Sequence, residues 1–257
     1  MYPELYHFPG TGISISTFGV MMAIGFLVGY AISVRRMVEE GIDPTPAPNM
    51  LLWIMLGGVG GSKLYFAVDV WLREGYPFFD LLFARAGITF YGGLLGGALA
   101  GVLACRKFGV PLRGFSAAVA PALAVSQALG RVGCFLVGDD YGKVTDVPWA
   151  VTFPKGAPPT LDPVHPTQLY EVAWLLPVAG FLWWRRKRSP FLFGEYLALN
   201  GAGRIVIEHW RVNDPVLFGL TEPQLIGAAL VVFGLTLWLH FFRAERRNAG
   251  AAAPERS

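Results

Sequence analysis

Apolar stretches long enough to cross a lipid bilayer recur along this chain, and they restrict its possible folds more than any other feature. A helix needs roughly 20 mainly apolar residues to cross about 30 Å of hydrocarbon. Hydrophobic residues make up 54% of the chain and charged residues 15%, a composition typical of membrane proteins. The apolar stretches are 15–34, 50–70, 87–105, 115–130, 168–184, 191–208 and 224–242. We therefore predict an all-α integral membrane protein with about seven transmembrane helices. Six is the alternative, because the fourth and fifth stretches are short.

Basic residues are concentrated in alternate loops, and this predicts the orientation of the protein. They follow the first stretch at Arg35 and Arg36, lie between the third and fourth, fill 185–188, and recur in 243–257. Short basic loops stay in the cytoplasm. We predict that the N-terminus faces outward, that the C-terminus faces inward and that 243–257 is a basic cytoplasmic tail. These loops account for the net charge of +3, so we expect no nucleic-acid partner.

The longest polar segment, 131–167, is expected to form a small cap on the outer side, between the fourth and fifth helices. Its run 149–153 has the composition of a short strand, and five prolines predict turns. The chain has no long linker and no clear internal repeat. We therefore predict a single polytopic membrane domain over residues 1–257.

The sixth apolar stretch contains three charged residues near its outer end. Arg204, Glu208 and Arg211 are spaced i, i+4 and i+7, which would place them on one face of a continuous helix. A charge within the hydrocarbon is costly and normally faces a polar partner. A structural pair between Arg204 and Glu208 is the plainer interpretation.

Polar residues of three other segments are predicted to reach the same depth. Lys63 lies in the outer half of the second stretch, Arg131 ends the fourth, and the run HPTQLYE (165–171) begins the fifth. Taken singly, Lys63 could snorkel to the surface and His165 could be a loop residue. Several cations at one depth would repel each other without an anion, and the anion available there is a phospholipid phosphate. We therefore predict a lipid phosphate site.

Glycines in the third stretch predict close packing. The run 91–97, YGGLLGG, places small residues four positions apart, so that a neighbouring helix or an acyl chain can approach the backbone. Helix packing alone is a sufficient explanation.

The segment 130–142, GRVGCFLVGDDYG, resembles the signature G-R-x-G-N-F-x-N-G-E-x-x-G of the bacterial prolipoprotein diacylglyceryl transferases. The run 165–171, the turn that begins at Tyr91, and Arg204 with Glu208 and Arg211 support the resemblance. Lys63 stands where an arginine is common. The resemblance extends over nearly the whole chain.

This resemblance implies an enzyme of the bacterial plasma (inner) membrane whose active site faces the extracytoplasmic leaflet. The implied reaction transfers the diacylglyceryl group of phosphatidylglycerol to the lipobox cysteine thiol of a preprolipoprotein and releases glycerol phosphate. The implied partners are phosphatidylglycerol, preprolipoprotein signal peptides and membrane lipids. No metal or soluble cofactor is implied.

The resemblance also implies roles for individual residues. Arg131 and Arg204 would hold the phosphate, Glu208 would orient Arg204, and Asp139 would replace the family's glutamate and position Arg131 or the signal peptide. The implied catalytic residues are Arg131, Arg204, Glu208, Asp139 and Tyr91. The implied phosphatidylglycerol-binding residues are Arg131, Arg204, Lys63, Gly142, His165 and Gln168.

Five positions depart from the family pattern. They are Phe18, Tyr91, Cys134, Val137 and Asp139. Tyr91 replaces a histidine, and a tyrosine with a pKa of about 10 is a poorer base than a histidine with a pKa of about 6.5. A lipobox thiol with a pKa of about 8.5 is already partly ionised, so a dedicated base is dispensable. We expect Cys134 to be a small packing residue. A nucleophile or redox switch is the bolder alternative.

Two rival functions are open at this point. One is a family paralogue that binds a phospholipid but uses a different acceptor or none, and the departures favour it. The other is a membrane transporter, which would require polar residues along the whole path. The inner halves of the apolar stretches contain few of them, Glu195 and Asn200 being the main exceptions.

Overall fold

Long helices dominate the chain in a computed structural model that describes residues 2–8, 13–84, 87 and 89–251. The helices of this described part are α1 (Thr17–Glu39), α2 (Ala47–Glu74), α3 (Phe78–Phe83), α4 (Phe90–Lys107), α5 (Leu112–Val137), α6 (Thr167–Arg185), α7 (Leu192–Ile207) and α8 (Glu222–Ala251). A 3-10 turn at Glu208–Trp210 follows α7. Each predicted apolar stretch coincides with one of the long helices. The short α3 was not predicted.

Four of these helices, α1, α2, α5 and α8, are long and apolar enough to cross a membrane. The other three long helices are shorter, with 18 residues in α4, 19 in α6 and 16 in α7. Large apolar side chains project outward, as at Leu27 (66% exposed) and Leu95 (65% exposed). Such surfaces are typical of helices that face lipid. The membrane character is thus supported, whereas seven spans stay a prediction.

Three two-stranded antiparallel sheets occur in the described part, so the protein is mainly rather than wholly α-helical. They pair β1 (Glu4–Phe8) with β2 (Ile13–Ser16), β3 (Val151–Phe153) with β4 (Thr160–Val164), and β5 (Pro215–Leu217) with β6 (Leu220–Thr221). The predicted strand 149–153 is confirmed in its last three residues. The other two hairpins are too short to give a clear sequence pattern.

Two helix ends differ from the sequence expectation. Helix α5 continues to Val137, so Arg131 lies within the helix rather than at the start of the cap. Apolar residues follow Arg131, and the helix stops at Gly138, whose φ is 80°. We use "cap" below for residues 138–166. Helix α7 ends at Ile207. Arg211 follows the 3-10 turn with an extended backbone conformation, so Arg204, Glu208 and Arg211 do not share one face of a continuous helix.

The contacts within the chain divide it into two compact units. The first consists of Met1–Ser33 and Ser116–Ser257, and the second of Val34–Phe115. The boundaries fall within α1 and within α5. A single polytopic domain stays a prediction.

The core of the first unit is formed by α5, α6 and α7. Its buried residues are Ala120, Ala124, Val178, Ala179, Leu182, Leu192 and Tyr196. Glycines bring α7 and α8 into close contact, since a Cβ on Gly201 would lie 2.4 Å from the Gly227 carbonyl oxygen. This packing holds together the helix ends that carry the charged residues.

The second unit is organised by the contact between α2 and α4. A Cβ on Gly92 would lie 2.4 Å from the carbonyl oxygen of Gly61, and one on Gly96 would lie 2.3 Å from that of Gly57. The predicted close approach at 91–97 is therefore confirmed, with a helix as the neighbour. Ser62 Oγ donates to the Thr89 carbonyl oxygen at 2.7 Å, next to the start of α4.

Candidate functional site

Three arginines converge on one carboxylate, that of Glu171. Arg131 Nε lies 2.7 Å from Glu171 Oε2, Arg204 Nη1 lies 3.2 Å from Oε1, and Arg211 Nη1 lies 3.1 Å from the same Oε1. The Glu171 side chain is only 8% exposed. A buried carboxylate shared by three guanidinium groups fixes their relative positions.

The ends of three helices place these groups together. Arg131 lies near the C-terminal end of α5, and Glu171 is the fifth residue of α6. Arg204 lies near the C-terminal end of α7, and Arg211 follows the 3-10 turn. The packed core of α5, α6 and α7 brings these ends to one level of the first unit.

Asp140 forms a second bridge between the arginines. Its Oδ2 lies 2.6 Å from Arg131 Nη1 and its Oδ1 lies 2.7 Å from Arg211 Nη2. Its side chain is 45% exposed. Its φ is 60°, and Thr167 Oγ1 donates to its carbonyl oxygen at 2.8 Å. The carboxylate therefore lies on the open side of the arginines.

The contacts of Glu208 differ from the expected ones. Its Oε1 accepts hydrogen bonds from Thr221 Oγ1 at 3.0 Å and from Asn213 Nδ2, and its Oε2 lies 3.8 Å from Arg211 Nε. No hydrogen bond or ion pair between Glu208 and Arg204 occurs in the described part of the chain. A direct contact between Glu208 and Arg204 is thus absent, because α7 ends at Ile207 and the next turn directs Glu208 toward β6. That Glu208 orients Arg204 stays a prediction.

The charges of this group balance within the protein. We call its six residues the Glu171 cluster: Arg131, Asp140, Glu171, Arg204, Glu208 and Arg211. Its three guanidinium groups face three carboxylates, so the cations do not need a lipid phosphate to relieve their repulsion. The carboxylates differ in access, since the side chain of Glu208 is 1% exposed, that of Glu171 8% and that of Asp140 45%.

Asp139 and Asp140 are neighbours with opposite electrostatic environments. Asp139 has no hydrogen bond or ion pair to Arg131 among the described residues. The carboxylate that contacts Arg131 directly is that of Asp140, not that of Asp139 as expected. Burial raises the pKa of Asp139, and its Oδ1 is buried without a hydrogen-bond partner. Burial also acts to raise the pKa of Asp140, but Arg211 and Arg131 outweigh it and lower that pKa overall. The pKa values of the two neighbouring carboxyl groups are therefore shifted in opposite directions.

Gly142 and Gln168 hold the backbone of the cap. Gly142 N donates to the His165 carbonyl oxygen at 2.8 Å, and a Cβ on Gly142 would lie 2.3 Å from the carbonyl oxygen of Trp210. Gln168 is fully buried, and its Nε2 donates to the Asp139 carbonyl oxygen. Both residues thus have structural roles beside the cluster, and their predicted contacts with lipid stay predictions.

The His165 ring belongs to an aromatic group at the edge of the cap. Its Nδ1 lies 2.9 Å from Tyr170 Oη, which accepts a hydrogen bond from Trp149 Nε1 at 2.7 Å. A tyrosine hydroxyl has one hydrogen, and here it is free to donate to Nδ1. The hydroxyl oxygen can also accept a second hydrogen bond, so the contact is compatible with either His165 tautomer.

Lys63 and Tyr91 belong to the second unit. Lys63 Nζ donates to the carbonyl oxygen of Ala84, and Tyr91 is the second residue of α4. Cys134, in contrast, is buried in the first unit, and Arg131 Nη1 donates to its Sγ at 3.9 Å. This burial supports a packing role for Cys134.

Sequence reasoning missed Glu171 and Asp140 as members of the site and did not assign a role to Arg211. Glu171 was visible as the last residue of the run 165–171, and the predicted cations required an anion nearby. Asp140 was visible only as one of two adjacent acids. Within the described residues, no group of three or more His, Cys, Asp or Glu side chains could hold a metal ion.

Comparison with known proteins gives a consistent result. A family model described as prolipoprotein diacylglyceryl transferase matches residues 3–240. A phosphatidylglycerol–prolipoprotein diacylglyceryl transferase of Vibrio vulnificus is 34% identical over 239 residues, which cover 88% of this chain and 86% of the relative. Relatives with the same name occur in Synechococcus elongatus, with 30% identity over 89% of this chain and 84% of the relative, and in Clostridium tetani, with 32% identity over 87% and 92%.

Proposed function

Because this chain belongs to the prolipoprotein diacylglyceryl transferase family, we propose that it transfers the diacylglyceryl group of phosphatidylglycerol to the lipobox cysteine thiol of preprolipoproteins. The observation that carries this proposal is the convergence of Arg131, Arg204 and Arg211 on the buried Glu171. Fixed guanidinium groups with little exposure are suited to bind a phosphate and to stabilise charge that develops on it.

The proposed reaction is a displacement at a glyceryl carbon of the lipid. The thiolate sulfur forms a bond to this carbon while the carbon–oxygen bond to phosphate breaks. The electron pair leaves with the phosphate oxygen, which gives glycerol phosphate, and the thiol proton passes to the leaving phosphate or to water. Negative charge therefore grows on the phosphate in the transition state, where the arginines can stabilise it.

The residues of the cluster have distinct proposed roles. Arg131 and Arg204 bind the phosphate, with Arg211 as a third donor, and Glu171 keeps all three in position. Glu208 positions Arg211 from its bonds to Thr221 and Asn213. In this proposal the lipobox thiol, with an ordinary pKa of about 8.5, is already partly ionised, so no dedicated base is needed and Tyr91 is not assigned that role.

We propose a membrane arrangement of seven spans with the N-terminus outside and the C-terminus inside. The seven long helices and the alternating basic loops support it. The cap and the Glu171 cluster would then face the extracytoplasmic leaflet of the plasma (inner) membrane, where signal peptides emerge. The basic tail 243–257 would lie in the cytoplasm, and α8 extends into it as far as Ala251.

Complementation of a bacterial strain depleted of its own diacylglyceryl transferase tests the function. The strain would express the parent chain, Arg131→Ala, Arg204→Ala or the control Arg73→Ala, whose side chain is 75% exposed. We expect the parent and the control to restore growth and lipid attachment to a reporter lipoprotein. The two cluster variants should lose lipid attachment by about 100-fold or more, since removing one donor to a developing charge costs that much.

Failure of a well-expressed, membrane-inserted parent to modify the reporter would contradict the proposal. It would favour a paralogue that binds phospholipid without this acceptor. Equal activity of the parent and of both cluster variants would contradict the assigned roles of the arginines but not the reaction.

A further inference from the structure

A phosphate cannot simply be added to the Glu171 cluster, because the arginines already have partners. Each guanidinium group contacts at least one carboxylate of the protein. A phosphodiester that binds there must replace a carboxylate, or else it adds an uncompensated negative charge beside three existing ones. Burial of an uncompensated charge is strongly unfavourable.

Of the three carboxylates, only that of Asp140 can leave at low cost. Glu171 and Glu208 have side chains that are 8% and 1% exposed, and both accept several hydrogen bonds. The Asp140 side chain is 45% exposed, so it can turn into water without the loss of packing. Its departure would leave the cluster with one excess positive charge, which matches the single negative charge of a phosphodiester.

The two oxygens of the Asp140 carboxylate also make the kind of contacts that two phosphate oxygens could make. Its two oxygens each contact a different arginine, Arg131 at 2.6 Å and Arg211 at 2.7 Å. The two non-bridging oxygens of a phosphodiester can join a pair of guanidinium groups in the same way. Asp140 thus occupies the part of the proposed phosphate site that lies between Arg131 and Arg211, while Arg204 contacts Glu171 and not Asp140.

We propose that Asp140 is an internal substitute for the substrate phosphate: its carboxylate holds Arg131 and Arg211 before the lipid binds, is displaced by the lipid phosphodiester, and returns as the phosphate product leaves. This inference rests on the proposed function. Asp140 stands at a position that the family signature leaves open, so this role is inferred from the contacts of Asp140 in this chain.

The surrounding structure permits this exchange. Thr167 Oγ1 holds the carbonyl oxygen of Asp140, and Gln168 Nε2 holds that of Asp139. The backbone is therefore fixed, and displacement needs only a rotation of the aspartate side chain. Aspartate has few rotatable bonds, so this rotation changes the conformational entropy of the side chain only slightly.

The same exchange helps to release the product. Glycerol phosphate is a monoester with a second pKa of about 6, so it carries close to two negative charges at neutral pH. It should bind the arginines more tightly than the phosphodiester does. Return of the Asp140 carboxylate opposes this binding and frees the site for the next lipid.

Ligand affinity in purified full-length protein tests the proposal. Asp140→Asn and Asp140→Gly remove the charge, and both residues accept the left-handed backbone at this position. The control is Asp162→Asn, an exposed change in β4. Each protein would be titrated with glycerol phosphate, and KM for phosphatidylglycerol and kcat would be measured in detergent with a lipobox peptide.

Both Asp140 variants should bind glycerol phosphate about tenfold more tightly than the parent and show a lower KM for phosphatidylglycerol, with kcat reduced by slower product release. The control should match the parent.

Unchanged or weaker affinity for both ligands in both variants would overturn the proposal, and so would an equal loss of kcat and kcat/KM without tighter binding. Tighter glycerol phosphate binding by the variants of a parent that transfers no lipid would uphold the role of Asp140 and refute the transferase function. A parent that binds neither ligand would refute both.

Discussion

Two glutamates of the first unit, Glu195 and Glu171, have side chains that are 12% and 8% exposed, and they contact arginine in different ways. Glu195 accepts hydrogen bonds from one arginine and two neutral donors. Arg185 Nη2 lies 2.6 Å from its Oε1, Ser189 Oγ donates at 2.9 Å and Trp238 Nε1 donates at 3.0 Å. We call these four residues the Glu195 cluster. Glu171, in contrast, is shared by three arginines, and two of them, Arg131 and Arg211, also contact the half-exposed Asp140.

The difference shows what separates a structural ion pair from a candidate site. In the Glu195 cluster one cation meets one anion, and neutral groups fill the remaining hydrogen-bond capacity. That arrangement holds α6, α7 and α8 together and has no exchangeable anion. In the Glu171 cluster an exposed anion can be replaced, and the remaining groups keep their positions. Partial burial of an arginine near a helix end is common to both clusters and therefore does not identify a functional site.

The largest effect is expected from Glu171→Gln. The substitution preserves shape but leaves three guanidinium groups without their shared buried anion. Loss of one partner of a buried ion pair typically costs about 3–5 kcal/mol. We expect kcat/KM for lipid transfer to fall by roughly 100-fold or more and thermal unfolding to shift to lower temperature.

Glu195→Gln is the matched control for this variant. It should also lower thermal stability, but transfer by the folded fraction should stay within about threefold of the parent, because no substrate contact is removed. Parental activity in Glu171→Gln, or an equal loss of activity in both variants, would remove the distinction between the two clusters.

A smaller effect is expected from the exchange of arginine for lysine. Arg204→Lys keeps the charge but loses the planar donor pair that matches phosphate. We expect kcat/KM to fall by about tenfold, mainly through KM. Arg185→Lys should change it by less than about twofold, since Ser189 and Trp238 still hold Glu195. Similar kinetics for the two variants would show that guanidinium geometry is unimportant at Arg204.

The smallest effect is expected from Asp139→Asn, and it depends on pH. The pKa of Asp139 is raised above its ordinary value of 3.8, so folding favours its neutral form. Its stabilising contribution is therefore present below pH 3.8 and is lost as the pH rises through the raised value. Asparagine stays neutral, so the variant should unfold about 1–2 °C higher than the parent at pH 7, with no difference at the lowest pH.

Thermal unfolding of both proteins from about pH 3 to about pH 8 measures this difference. A parent that is more stable than Asp139→Asn at neutral pH would show that the ionised carboxylate has a favourable partner. That result would restore the direct role for Asp139 that the sequence suggested.

The sequence predicted the long helices well because the thickness of a bilayer determines their length. It also identified Arg131 and Arg204, since a charge in an apolar stretch is conspicuous. Its error at the end of α5 has the same origin. Arg131 looked like the end of the helix, but Glu171 and Asp140 neutralise it, and the helix can continue.

Tertiary contacts determine the rest of the site, and the sequence could not supply them. The choice between Asp139 and Asp140 depends on a φ of 60° at Asp140 and on its hydrogen bond from Thr167, a residue 27 positions away. Glu171 looked like an ordinary charge near a helix start. Its importance follows from the meeting of α5, α6 and α7, which no local pattern encodes.

The backbone around Gly142 joins the cap to one arginine but not to the others. Gly142 N donates a hydrogen bond to the carbonyl oxygen of His165, and Lys143 N donates one to the carbonyl oxygen of Trp210. Trp210 directly precedes Arg211 in the chain. Arg204 is part of the body of α7. A displacement of the cap would therefore be transmitted through the backbone more directly to Arg211 than to Arg204.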